Sequence, residues 1–432
     1  MFLGAGCFGG SNLVAPEPVK LVIWQMSDPE EAFKSTMDAY TAIYPNVSFE
    51  YKTFTPEEYE VALLNAWAKG EGPDIFETPN WRLGKYREFI APMPEQASFV
   101  IAQSKKTLGK TTTTLSQRTV IFPTISQLRE RFVDVVTDDI VYDEEVYGVP
   151  FSVDTLALYY NRDVMARGQV AVAPTTWNEL VAAVSAIRKI DTDKRIVLPA
   201  AALGTADNLP YYFDILSLLM IQGGTTLSVN NRMTMSSGDE RSLPAIEALD
   251  FFTKFSNPKW QVYTWNDQQP NALEAFTQDA LAFYFGYYSD LQTIQERAPN
   301  LNFYYTKVPQ TDLDNPINYA NYMIESVHVN SKHVNQAWDF IDFMSTQEQV
   351  INYLTVTKKV PALRSLVAQT QTDPVIGIFA QQALTAQSWY HGVRPDTAQT
   401  VFGDMIRAAQ EGIIPLKEVV TTTNSQLQLT LQ

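Results

Sequence analysis

Tyr147-Gly148-Val149-Pro150-Phe151-Ser152-Val153-Asp154-Thr155-Leu156-Ala157-Leu158-Tyr159-Tyr160-Asn161-Arg162-Asp163 reads as a turn, an apolar strand and a polar stop. Gly148 and Pro150 punctuate its entry. The run that follows carries a single charge, Asp154, in the path of an otherwise buried strand. A carboxylate in such surroundings is costly unless it is paired or used. Taken alone, the stretch is therefore a buried strand with a misplaced charge.

Upstream, regular pattern begins at Val19. Lys20-Leu21-Val22-Ile23-Trp24 is a short β-rich run suited to burial on both faces. Asp28-Pro29-Glu30-Glu31 reads as a helix start with Asp28 at the N-cap. Phe33, Met37, Tyr40 and Tyr44 then fall on one helical stripe. Val47-Ser48-Phe49-Glu50-Tyr51 alternates as a strand. Pro56-Glu57-Glu58 opens a second helix that Gly70 closes, and Asp74-Ile75-Phe76 starts a third strand. The order β-α-β-α-β predicts a parallel sheet with right-handed crossovers. From about Ala97 to Phe122 the rhythm breaks. Ser104-Lys105-Lys106 and Thr111 to Thr114 make a basic, Thr-rich stretch without a period, read as a surface insertion.

Downstream lies a second α/β region. Thr176 and Glu179 have capping-box spacing ahead of the apolar face Leu180, Val184 and Ile187. Tyr211 to Ile221 and Leu243 to Phe255 read as helices, and Ala280 to Gly286 as a strand ending in a glycine turn. Gln336 to Leu354 reads as one strong helix.

At 432 residues the chain is long for one core and suits two. A net charge of -16 argues against nucleic acid, which demands clustered Lys and Arg. No run approaches the ~18 apolar residues that span a bilayer. Cys7 is the single cysteine, so no intramolecular disulfide is available. Met1-Phe2-Leu3-Gly4-Ala5-Gly6-Cys7 resembles the end of a bacterial lipoprotein signal, with small residues before a cysteine that would carry lipid. Phe8 to Pro18, rich in Gly, Ser, Asn and Pro, reads as a flexible tether.

Catalytic signatures are weak. His328 and His333 lie five apart, outside the spacing of a helical zinc pair. No Gly-x-Ser-x-Gly elbow occurs. Gly109-Lys110-Thr111 lacks the glycine that a phosphate loop needs five residues earlier, where Ser104 stands. No metal or cofactor is expected. Aromatics, at 12%, are the richer signal. Trp81 after Pro79-Asn80, Tyr287-Tyr288 after Gly286, and Trp389-Tyr390 before His391-Gly392 all sit beside chain breakers. Most aromatics are core. Those beyond the carboxyl ends of strands are placed to face a ligand, and flat rings suit sugar C–H groups.

In this order the pieces resemble family 1 extracellular solute-binding proteins, the capture components of ABC importers. Leu21 to Trp24, Gly70 to Ile75, Tyr147 to Pro150 with Tyr160-Asn161-Arg162-Asp163, Pro174 to Trp177, Ala275 to Tyr287, Ala337 to Ile341 and Val360-Pro361 carry the likeness. It covers about residues 19 to 410. The resemblance implies a two-lobed α/β fold of the periplasmic-binding-protein kind, each lobe a mostly parallel sheet flanked by helices, joined by a multi-strand hinge. One lobe would comprise 19-154 with 325-362, the other 155-324 with 363-432, and 1-18 the tether. It implies first-lobe ligand contacts at Gln25, Asp28, Asn80, Trp81 and Arg82, and a hydroxyl-binding carboxylate at Asp154. A stacking ring at Tyr287 or Tyr288 and an aromatic pair at Trp389 and Tyr390 would complete the site.

The function implied is binding without catalysis. A monomer outside the cytoplasm, tethered at Cys7 or free in a periplasm, would capture a carbohydrate and deliver it to an ABC permease. Other ligands stay open: a polyamine, a peptide, or ferric iron held by tandem tyrosines such as Tyr159-Tyr160, Tyr211-Tyr212, Tyr287-Tyr288 and Tyr304-Tyr305. A glycoside hydrolase using two carboxylates is the remaining alternative.

Overall fold

A computed structural model describes residues 13–26, 28–107, 110–237 and 243–432. Cys7 and the stretch before it lie outside the described residues.

The first lobe grows from the expected β-α-β-α-β run. Strand β1 (Val19–Met26), helix α1 (Glu31–Ile43), strand β2 (Val47–Phe54), helix α2 (Pro56–Lys69) and strand β3 (Ile75–Pro79) follow in turn. β1 lies between β2 and β3, parallel to both. A later strand, Met323–Val327, closes the far edge of the sheet antiparallel to β3. α1 buries Phe33, Met37 and Tyr40, the predicted stripe. α2 ends at Gly70, whose φ of 70° is the left-handed turn that glycine makes without strain. Asp28 does not cap α1; Glu30 occupies that position.

The second lobe centres on Ala157–Asn161, the strand that continues the opening stretch. Its neighbours Phe283–Gly286 and Phe303–Lys307 both run antiparallel to it. The sheets are therefore mixed, and the mostly parallel order holds in the first lobe only. The helix Trp177–Ile187 carries the full capping box from Thr176 and Glu179. The helices Tyr212–Gln222 and Pro244–Lys254 stand where periodicity put them.

Two further expectations change. The stretch near 97–122 is not shapeless: β4 (Gln96–Thr107) and β5 (Lys110–Ile121) pair as a long antiparallel hairpin. Its base buries Ala97 and Ile101, and Phe99 meets Tyr44 at the end of α1 with rings 5.5 Å apart. Its many Thr residues suit strands even where no alternation shows. The single late helix is two, Val334–Met344 and Gln347–Thr357. They part at Ser345-Thr346, where Thr346 turns extended and its hydroxyl donates to the Phe343 carbonyl at 2.8 Å.

Three segments lie side by side between the lobes. Val149 pairs with Glu325, Ser152 with Pro361, and Asp154 with Asn321. Gly148 is needed here: a Cβ would lie 2.2 Å from the Ile324 side chain and 3.0 Å from the Glu325 carbonyl. The strand that carries Asp154 is thus a crossing, and the carboxylate stands at its end.

Candidate functional site

Beside these crossings lies a cavity of about 810 Å³. Its walls come from both lobes. Met26 enters from the end of β1, and Asp28 and Pro29 from the loop after it. Ser152, Val153, Asp154, Asn321, Tyr322 and Val356 to Val360 come from the crossings and their approaches. Tyr211, Tyr287, Tyr288, Ser289, Gln292 and Gln295 come from the second lobe.

The aromatic wall is built on carboxylates. Tyr287 donates its hydroxyl to Asp214 at 2.8 Å, and its ring meets Tyr211 edge-on at 4.9 Å. Tyr211 and Tyr284 donate to Asp290 at 3.0 and 2.9 Å, and Asp290 also accepts the Tyr287 N–H at 3.1 Å. Gly286 leaves the space these groups occupy, since a Cβ there would meet Asp290 at 2.5 Å. Burial pushes Asp214 up to about 7, against the stabilising hydrogen bond from Tyr287. Burial first, then the carboxylate neighbours, pushes Tyr211 and Tyr287 up, so both remain neutral phenols.

Asp154 sits at the crossing with its oxygens engaged. Oδ1 accepts the N–H groups of Thr155 at 2.8 Å and Tyr288 at 2.9 Å; Oδ2 accepts that of Ser289 at 3.0 Å. Burial nevertheless raises it to about 7, the three N–H groups pulling the other way. On the first-lobe side Asp28 holds Lys359 at 2.7 and 2.8 Å and accepts the Tyr353 hydroxyl at 2.6 Å. Deeper, Glu77 and Glu325 stand opposite each other across two strands. Burial first, then neighbouring carboxylates, pushes both upward. Of the two lining acids one is thus paired with an ammonium and one is bound by backbone N–H groups, and Lys358 adds a cation to the same wall.

Four of the ten residues expected at a site, Asp28, Asp154, Tyr287 and Tyr288, meet at this cavity. The other six do not line it. Gln25 is fully buried and donates to Glu325 at 2.7 Å. Asn80 is buried and donates to Asp139 at 2.9 Å. Trp81 lies under the Arg82 guanidinium at 4.6 Å, and Arg82 is paired with Glu60 and Asp396. Trp389 is core: its ring stacks on Phe213 and Phe402, and its N–H reaches Ser217 Oγ at 2.8 Å. Tyr390 is buried and donates to the Thr430 carbonyl at 2.9 Å. An indole flanked by chain breakers packs in a core as readily as it edges a cleft, so sequence did not separate the two.

Tyr211, Tyr322, Lys359, Gln292 and Gln295 were not foreseen at the site. Tyr211 opens a tandem pair and Lys359 precedes the crossing Val360-Pro361, which were the available signals. Of the tandem tyrosines, Tyr211, Tyr287 and Tyr288 reach the cavity and the others do not. Tyr159 donates to the Tyr287 carbonyl at 2.6 Å, Tyr212 to the Gln399 carbonyl at 2.8 Å, and Tyr304 is exposed.

A family model described as bacterial extracellular solute-binding protein matches residues 35–377. A maltotriose-binding protein of Pyrococcus abyssi is 27% identical over 167 residues, 37% of this chain and 29% of that protein. An uncharacterised ABC transporter extracellular-binding protein of Pyrococcus horikoshii is 24% identical over 47% of this chain and 44% of its own length. The matched stretch thus spans less than half of either relative. Among solved structures, the cyclic α-maltosyl-1,6-maltose binding protein of Arthrobacter globiformis superposes with a TM-score of 0.74 at 17% identity, covering 96% of this chain and 99% of that one. The sugar-binding protein MalE of Xanthomonas citri gives 0.71 at 17% identity, covering 96% and 97%.

Proposed function

We infer that this chain, which belongs to the bacterial extracellular solute-binding proteins, captures a neutral carbohydrate in its interlobe cavity and passes it to an ABC importer. The observation that carries the reading is the wall itself. The half-buried Tyr211 and Tyr288 bring aromatic surface to it, backed by the buried Tyr287 and Tyr322, while Gln292, Gln295 and Asn321 offer paired donors and acceptors for hydroxyls. The lining carries Asp28 and Asp154 beside Lys358 and Lys359, so an anion would meet the two carboxylates and a cation the two ammonium groups. A neutral polyhydroxylated ligand meets neither cost. The named relatives that bind maltotriose and cyclic maltosyl-maltose support the same class.

Binding without chemistry fits the two carboxylates at the cavity. A glycosidase requires one free acid and one free base or nucleophile. Asp28 is held by Lys359, and Asp154 by three N–H groups. Under this reading the lobes comprise 19-154 with 325-362 and 155-324 with 363-432, and closure proceeds about the three crossings. The chain works as a monomer outside the cytoplasm, tethered by lipid on Cys7.

Titration calorimetry with maltotriose and maltotetraose tests the reading, with spermidine, a tripeptide and ferric citrate as contrasts. Calorimetry suits the site because its lining includes no tryptophan among the described residues. Saturable heat with a sugar alone is expected, along with a melting temperature raised by a few degrees as binding shifts the folding equilibrium. Heat from spermidine, the peptide or iron in place of every sugar overturns it.

A further inference from the structure

We propose that Asp154 is a positioning residue that caps the helix Ser289–Arg297 from the crossing strand, and so sets the second-lobe wall of the cavity. The wall is the ligand site only if the carbohydrate reading above holds; the capping itself does not depend on it. The helix opens at Tyr288, whose own side chain makes no capping hydrogen bond. A helix start leaves N–H groups without partners inside the helix. Here Asp154, 134 and 135 residues away in sequence, accepts those of Tyr288 and Ser289. It is a cap supplied by another element.

The consequence is geometric. Tyr287, Tyr288, Ser289, Gln292 and Gln295 all line the cavity, and all lie on this turn or the helix it opens. Asp290 fixes the turn from within by accepting the Tyr287 N–H at 3.1 Å. Asp154 fixes it from the crossing. Its Oδ1 also accepts the N–H of Thr155, the next residue on its own strand, so the carboxylate cannot swing away without losing all three bonds. A short acid suits this role, being held against its own backbone. Hydroxyl recognition then falls to Tyr288, Gln292, Gln295 and their neighbours, which Asp154 orients.

Hydrogen exchange read residue by residue on the ligand-free chain tests this, since a direct ligand contact leaves those rates unmoved. Asp154→Asn keeps one carbonyl oxygen for Thr155 and Tyr288 and turns an NH₂ toward Ser289. The Ser289 amide should then exchange at least tenfold faster and that of Tyr288 little. Asp154→Ala should accelerate both amides at least tenfold. In calorimetry with maltotriose, binding to the Ala variant should weaken at least tenfold and binding to the Asn variant less. Wild-type exchange at Tyr288 and Ser289 in both variants overturns the proposal, whatever happens to sugar binding. If the Ala variant does not fold, the Ser289 amide of the Asn variant decides alone. Failure of maltotriose to bind the unmodified chain counts against the sugar and leaves the exchange result to judge Asp154.

Discussion

Trp389 shows how little a residue's neighbours in sequence fix its role. Beside His391-Gly392 it reads as a cleft aromatic, yet it lies between Phe213 and Phe402 with its N–H satisfied by Ser217. Trp389→Ala is expected to cost about 3–5 kcal/mol in urea unfolding, as core truncations of large aromatics do. Trp389→Phe should cost far less in the same measurement. Asp214 gives a pH signature. Its ordinary value of 3.8 rises to about 7 in the folded chain. Between those values the folded state holds the proton more tightly than the unfolded one. The contribution is therefore complete below pH 3.8, fades as pH rises toward 7, and is flat above. Asp214→Asn should remove that decline and still accept the Tyr287 hydroxyl. Between pH 4 and pH 8 the wild type should lose about 1–3 kcal/mol more than the variant, measured by urea unfolding at each pH.

Elements were legible where their signals are local. The capping box at Thr176 and Glu179 was readable because its reach is three residues, and the structure has it in full. Thr176→Ala is expected to cost about 1 kcal/mol, read as a lower urea midpoint with an unchanged slope. Gly70 was readable because a left-handed helix end favours glycine. The β4–β5 hairpin was not, since a strand pair joined mainly to itself need not alternate apolar and polar residues. The split of the late helix at Ser345-Thr346 was hidden too, because the apolar stripe runs past the break. The antiparallel partners of Ala157–Asn161 were equally unreadable, as pairing direction depends on where the chain returns from.

The whole molecule depends on contacts between distant segments. Asp139 is fully buried and accepts from Asn80 at 2.9 Å and Tyr322 at 2.6 Å; His391 Nε2 lies 2.9 Å away, and the Ser388 hydroxyl also donates to it. It joins the first lobe, a crossing and the segment after the last crossing. Asp139→Ala is expected to cost about 1–3 kcal/mol by stranding buried partners, and to give a larger radius of gyration by small-angle scattering as the lobes part. A variant with unchanged stability and dimensions would contradict that role. The sequence by itself determined the β-α-β-α-β lobe, the crossing with its lone carboxylate, the tyrosine turn after Gly286 and the family likeness. The lobe and the turn are written in periodicity, capping or breaker chemistry over a few residues; the crossing came with the family likeness, carried by the order of several short motifs. Only the tertiary structure decided that Lys359 closes on Asp28 across 331 positions, that Asp154 spends its oxygens on a helix start, and that Trp389 is core. The physical reason is that a side chain's partner is set by which surfaces meet when two lobes pack, and no local pattern encodes that meeting.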